Sequence, residues 1–301
     1  MASMRLVTRG DLDGLTCAVL ITSCETIGEI LLVHPQDITG RRLAVTDEDI
    51  LANLPYHHGC AKWFDHHLLT ESNQKPPETF DGRYGLAPSA ARMVYEYYVT
   101  GNPGLKKYEG LLAETDRLDS AHLNLDDVLD PKDYILLGYT LDPRTGLGVF
   151  RDYFLRLVEE LKKKTIGEIL AQPDVRERVK RIREQDARFR EVTVERSRLD
   201  GNVVFTDFRD LSPMPVGNRF IVYTLFPQAN VSLRVHWGPS REHVAAAVGH
   251  SIFNRTSRTN VGEMMSRFGG GGHRGAGTCL LPAATADAQI AQMLAALKKD
   301  G

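Results

Sequence analysis

Hydrophobic positions change period several times along the 301-residue chain. Met4-Arg-Leu-Val-Thr8 predicts a short strand that breaks at Gly10-Asp-Leu-Asp-Gly14, after which Leu15, Ala18, Val19 and Thr22 recur at helical spacing. Glu29–Val33 and Ala61–Phe64 read as further strands, and helices follow at about Ser89–Val99, Tyr108–Arg117, Lys132–Thr140 and Phe150–Lys164. Strands alternating with helices imply a parallel sheet covered on both faces, with working residues at the carboxyl ends of its strands.

From Thr165 to Leu199 the pattern becomes a charged helix, with Pro173 near its start or at a kink. Val175, Val179, Ile182 and Phe189 form an apolar stripe that Asp186 interrupts. Such a stripe fits a connector packed on its own chain, or a dimerising helix that would make the protein a homodimer. Beyond Asp200, Val203–Phe205, Arg219–Tyr223, Ala229–Val235 and Val244–Val248 predict strands, and Val261–Phe268 and Asp287–Leu297 predict helices. The expected architecture is α/β with two domains: a parallel-sheet domain over 1–164, a helical linker over 165–199 and a smaller α/β domain over 200–301.

Composition narrows the setting. With 25% charged and 42% hydrophobic residues the chain is an ordinary folded protein and not a disordered one. No apolar run approaches the ~20 residues needed to span a bilayer, and the N-terminal residues contain no signal-peptide core. No membrane association is expected. Cys17, Cys24, Cys60 and Cys279 lack CxxC spacing, which argues against a disulfide scaffold or thiolate zinc site and favours a reducing, cytoplasmic setting. The net charge of −2 excludes a bulk nucleic-acid coat protein. It divides unevenly: residues from 200 onward carry 10 Lys and Arg against 7 Asp and Glu, a net of +3, which leaves −5 for the rest.

Three motifs carry candidate chemistry. Asp11-Leu-Asp13-Gly14 sits where a strand ends and a helix opens; two carboxylates at i and i+2 can face one hard divalent cation, although a lone DxDG also serves as an ordinary N-capped turn. Asp65-His66-His67 closes an apolar strand, where one imidazole can bind metal, the other can reach a phosphate and the Asp can orient a ring. The nearby His57-His58 pair reads as exposed loop. Gly269-Gly-Gly-Gly-His273-Arg274 lies between a helix and a strand, which a flexible tail would not. Its glycines let backbone N–H groups approach an anion while His273 and Arg274 supply donors and charge.

In this order the three motifs resemble the DHH phosphoesterase superfamily with a C-terminal DHHA1 domain, in the exopolyphosphatase-related or nanoRNase-like group. The resemblance covers nearly the whole chain. It implies a cytoplasmic enzyme of a typically manganese-dependent family with two metals between its domains, here with one or two Mn2+ ions or with Mg2+ or Co2+, that cleaves short oligonucleotides, pAp, cyclic dinucleotides or polyphosphate. On this resemblance Asp11, Asp13 and His66 are metal ligands, Asp13, His66 and His67 form the catalytic set, and Asp119 is the later metal ligand with Asp116 as fallback. Gly270, Gly271, Gly272, His273, Arg274, Arg255 and Arg258 would hold substrate phosphate. Two departures stand out: Val7-Thr8-Arg9 offers no histidine before the first aspartate pair, and the second-motif carboxylate is open among Asp47, Asp49 and the neutral Asn53. The expected reaction is hydrolysis by metal-activated water. Exopolyphosphatase activity is a second reading, disfavoured by the modest +3 of the second half, and a nucleotide-binding regulator with impaired catalysis is a third.

Overall fold

The computed structural model describes residues 3–67, 74–141 and 150–300. The chain divides into two units, one of Met1–Leu123 with Pro131–Arg181 and the other of Asn124–Asp130 with Ile182–Gly301.

The first unit contains β1 (Met4–Thr8), α1 (Leu12–Ile21), β2 (Ile27–Leu32), α2 (Pro35–Thr39), β3 (Asp49–Ala52), β4 (Lys62–Asp65), β5 (Gly82–Tyr84), α3 (Ala90–Tyr98) and α4 (Glu109–Asp119). A short helix of the second unit, α5 (Leu125–Leu129), precedes α6 (Asp133–Thr140), α7 (Phe150–Leu161) and α8 (Ile166–Leu170). The sheet order is β2-β1-β3-β4-β5 and every neighbouring pair is parallel. Strand alternation sorts the side chains. Val7, Leu51 and Trp63 are cross-strand neighbours that pack with Ile38, Leu54 and Tyr56 on one face. Leu6, Ile50, Ala52 and Phe64 face the larger core, where α1 packs against α3, α4 and α7. Every residue of α1 is buried, as befits a helix apolar on all sides. The parallel arrangement brings the ends of β1, β3 and β4 to one edge, and the first two motifs lie there.

Helix α9 (Pro173–Arg196) belongs to the first unit as far as Arg181 and to the second beyond it. Of its apolar stripe, Val175, Ile182 and Phe189 are buried and Val179 is partly buried against the first unit's core. Val175 enters the core of the first unit, while Ile182 and Phe189 are buried in the second, with Phe189 5.8 Å from the Phe208 ring.

The second unit continues with β6 (Ser197–Asp200), β7 (Val203–Asp207), α10 (Ile221–Leu225), β8 (Val231–Trp237), β9 (His243–His250), α11 (Val261–Ser266), β10 (Gly271–His273), β11 (Ala276–Pro282) and α12 (Ala286–Lys299). Its mixed sheet runs β10-β11-β9-β8-β7-β6, with β7 and β8 the parallel pair. One face, from Val203, Phe205, Leu233, Val235, Val244 and Val248, packs with Met264, Met265, Met293 and Leu297 of α11 and α12.

The expected strand at Arg219–Tyr223 is instead a turn leading into α10. Asn218 Oδ1 accepts the Phe220 amide at 3.0 Å, which starts a helical turn, and Phe220, Ile221, Val222 and Tyr223 are all buried. A short apolar run buried on every side has no periodicity to separate helix from strand. Among the described residues no helix is long and apolar enough to cross a membrane, and the four cysteines are free.

Candidate metal centre

Asp11 is the N-cap of α1, its Oδ1 accepting the Gly14 amide at 2.9 Å, and this places Asp13 in the first helical turn. Gly14 is required by proximity: a Cβ there would lie 2.0 Å from the Arg9 carbonyl oxygen and 2.9 Å from Thr8 Oγ1. Asp13 is 2% exposed, and its two oxygens accept the Ala90 and Ala91 amides at 2.9 and 2.7 Å, the first donors of α3. A helix N-terminus stabilises a carboxylate, and Ser89, the N-cap of α3, completes that end through the Arg92 amide at 3.0 Å.

His66 follows β4. Its Nδ1 is 3.0 Å from the Ala87 carbonyl, which assigns the proton to Nδ1 and turns Nε2 inward. Nε2 lies 3.1 Å from Asp119 Oδ2 and 3.8 Å from Asp13 Oδ2, yet it is buried without a well-aligned hydrogen bond. Asp119 stands at the last turn of α4, where the helix dipole disfavours a carboxylate. Thr16 and Thr115, 2.8 Å apart, tie α1 to α4; Thr115 Oγ1 also bonds the Leu111 carbonyl, so Thr16 donates to Thr115. Ligand atoms of Asp13, His66 and Asp119 all lie within 4.8 Å of one another.

The electrostatics match a cation site. Burial, then the neighbouring Asp119 charge, pushes the Asp13 carboxyl well above the usual range. Burial disfavours the His66 imidazolium, but Asp119 and Asp13 together outweigh it and raise its pKa to about 9. Two buried or half-buried carboxylates thus draw positive charge onto the ring between them. The donor set of two carboxylates, one imidazole and an inward ring nitrogen without an aligned partner fits a divalent cation.

Asp65, His66 and His67 form a second group whose ligand atoms lie within 4.8 Å of one another, and within it Asp65 engages both of its neighbours. Asp65 is 2% exposed, and its Oδ1 accepts the His66 amide at 2.9 Å and faces His67 Nδ1 at 2.7 Å. The geometry of Asp11 is different. Oδ2 faces Arg9 Nε at 3.1 Å, and Oδ1 accepts Asn53 Nδ2 at 3.0 Å besides Gly14. Asp11 is not in the group that brings Asp13, His66 and Asp119 together.

Among the second-motif candidates, Asn53 is the residue at this edge. Asp49 begins β3 and so lies at the opposite end of the sheet, where Arg5 holds it through both oxygens at 2.6 and 2.7 Å. Asp47 precedes it there and is exposed. Asp116 is held by Ser89 at 2.6 Å and by Arg92 Nε at 3.0 Å, which makes it a strut between α4 and α3, and it is not in the group of Asp13, His66 and Asp119. Asp116→Asn is therefore expected to cost about 1–2 kcal/mol of stability, leaving the partly buried Arg92 without its counter-charge, while manganese affinity stays within about twofold. Urea unfolding and a metal titration check both halves of that expectation. The His57 and His58 rings stack at 4.6 Å, with His58 Nδ1 2.9 Å from Gln74, away from the triplet's hydrogen bonds.

In the second unit the glycine run takes a more ordered form than an open anion loop. The Gly269 and Gly270 amides bond the Ser266 and Met265 carbonyls at the end of α11, so two of the N–H groups expected to meet an anion are engaged inside the chain. Gly271–His273 then forms the edge strand β10, paired with β11. Gly272 adopts φ +156, and a Cβ on it would lie 2.2 Å from the Ala276 carbonyl oxygen. The glycines thus serve close backbone packing first. His273 and Arg274 remain exposed, as do Arg258 and Arg255, the last bonded through Nε to the Ile252 carbonyl at 2.9 Å. Alternation along β8 also places Ser232, Arg234 and His236 on the sheet face away from α11 and α12, opposite Gly249, Ala247 and Ala245 of β9. Alternation alone marks those residues only as outside the core.

No protein-family model and no curated protein matches the sequence. Solved structures do. The pGpG-specific phosphodiesterase PggH from Vibrio cholerae is 38% identical with a TM-score of 0.82, over 99% of this chain and 100% of that one. A DHH domain described as that of a member of the s1p family of ribosomal proteins gives 13% identity and a TM-score of 0.61, over 99% of this chain and 87% of its own. RecJ from Thermus thermophilus, in complex with Mn2+, gives 12% and 0.59, over 99% and 52%. These last two share the fold. A five-stranded parallel sheet followed by a unit with a mixed sheet is the α/β architecture this chain shares with these structures. The chain belongs to the DHH phosphoesterase superfamily.

Proposed function

We propose that this protein is a divalent-metal-dependent phosphodiesterase that hydrolyses short oligonucleotides, with a linear guanine dinucleotide such as pGpG as its preferred substrate. The observation that carries the reading is the meeting of Asp13, His66 and Asp119 around a buried ring nitrogen, in a chain aligned end to end with a pGpG-specific phosphodiesterase. Asp13, His66 and Asp119 would hold the cation, with manganese favoured by the carboxylate-rich donor set. A divalent cation held by these residues would lower the pKa of the reacting water and offset charge on the phosphoryl oxygens. Asp65 Oδ1 lies 2.7 Å from His67 Nδ1, and the remaining ring nitrogen, Nε2, is assigned to proton transfer at the reacting phosphate. Water adds to phosphorus and the 3′ oxygen of one nucleoside leaves with a proton, so pGpG and water yield two molecules of GMP.

His273 and Arg274 are assigned to a further phosphate of the substrate. Arg274→Ala is then expected to raise KM roughly tenfold with kcat nearly unchanged, the signature of a lost charge-assisted contact made equally in ground and transition states. Steady-state kinetics on pGpG reads both constants.

The test of the reading is a panel of pGpG, other dinucleotides, pAp, cyclic di-GMP and polyphosphate with manganese. Hydrolysis of linear dinucleotides ahead of the other substrates is expected. Faster release of phosphate from polyphosphate would replace the reading with an exopolyphosphatase, and no turnover of any member would replace it with a nucleotide-binding regulator.

A further inference from the structure

We infer that Arg9 is a built-in cation for Asp11, so that the centre takes one divalent ion, at Asp13, His66 and Asp119, and not two. The inference rests on the metal reading given above. It starts from the carboxylate of Asp11, which two hydrogen bonds and one ion pair already engage. Gly14 N and Asn53 Nδ2 approach Oδ1 at 2.9 and 3.0 Å, and Arg9 Nε approaches Oδ2 at 3.1 Å. A carboxylate has about four lone-pair positions; here the Gly14 and Asn53 N–H groups take Oδ1 and the Arg9 guanidinium sets a positive charge beside Oδ2, where a cation bound by Asp11 would compete with it.

Asn53 reinforces this arrangement. It ends β3 with φ +58, a left-handed conformation that Asn and Asp both tolerate. Its amide is placed 3.0 Å from Asp11 Oδ1, a contact that only an N–H can make without a cation or proton between the two groups. A carboxylate at the same position would meet Asp11 as a like charge and call for a cation. Arginine at position 9 and an amide at position 53 are thus mutually consistent. Arg9 supplies only donors, and Asn53 turns its Nδ2 to Asp11 while its Oδ1 is buried without a hydrogen-bond partner. Asp11 then keeps a charge partner of its own, and the guanidinium beside it carries a permanent positive charge at the edge of the centre.

The experiment is equilibrium dialysis of the purified protein against manganese, followed by elemental analysis of metal per chain. One ion per chain is expected for the wild type, and a second is expected in the Arg9→His/Asn53→Asp double variant, whose folding is checked by circular dichroism. Two ions in the wild type would overturn the role given to Arg9. A folded double variant that still holds one ion would overturn the claim that these two residues set the number. No manganese at all in the wild type would refute the Asp13–His66–Asp119 centre itself, a result distinct from either. The wild-type count decides the main point even if the double variant fails to fold.

Discussion

Asp13→Asn is expected to reduce dinucleotide hydrolysis by roughly a thousandfold or more while the protein remains folded. The carboxylate is almost fully buried and sits between the first amides of α3 and the inward nitrogen of His66. An amide keeps the volume but offers one acceptor in place of two, and it removes the charge that draws a cation to this point. Metal assistance contributes several kcal/mol to phosphoryl transfer, and about 4 kcal/mol corresponds to a thousandfold in rate. The loss should appear in kcat/KM and in thermal unfolding as well. A ligand at a hundred times its Kd stabilises the folded state by about 2.7 kcal/mol, so manganese should raise the wild-type melting temperature and leave that of the variant unchanged. Retained activity, or an undiminished manganese-induced shift, would remove Asp13 from the centre.

Gly14→Ala should have the largest effect on folding. The added methyl would lie 2.0 Å from the Arg9 carbonyl oxygen and 2.9 Å from its carbon, both backbone atoms that no side-chain rotation can clear. Relief requires α1 to move away from the end of β1. All ten residues of that helix are buried, and it packs against α3, α4 and α7. Overpacking of this kind costs typically 1–3 kcal/mol, and a clash against backbone belongs at or above the upper end, at least about 3 kcal/mol. Urea unfolding of the variant, or its failure to accumulate as soluble protein, provides the measurement. A variant as stable as the wild type would mean that the turn joining β1 to α1 is looser than its geometry indicates.

Much of the first unit can be read from the chain because its signals are local. The Asp11-x-Asp13-Gly14 turn, the strand before Asp65 and the helical spacing after Ser89 each announce an element within a few residues. Those signals place Asp13 and His66 at the carboxyl edge of the sheet. Long-range geometry is where sequence reasoning runs short. The run from Asp47 to Asn53 does not show where its strand starts and stops, so which of Asp47, Asp49 and Asn53 reaches the carboxyl edge stays open; the pairing of Arg5 with Asp49 and of Asn53 with Asp11 resolves it. Asp116 and Asp119 are one helical turn apart, so the preference for Asp119 rests on resemblance alone until the first is seen to meet Arg92 and the second His66. Gly269 and Gly270 read as anion-facing amides until their bonds to α11 are seen, because a glycine serves a helix end and a phosphate loop equally well. The run at Arg219–Tyr223 shows the same limit for burial, where tertiary packing overrides the strand preference of its β-branched and aromatic residues.

The account turns on a cation held by three side chains from three separate segments. An anomalous difference map from a crystal soaked in manganese tests it most directly. One peak in contact with Asp13, Asp119 and His66 Nε2 is the expected result. A peak elsewhere in the first unit, or none under conditions in which the enzyme is active, would contradict it.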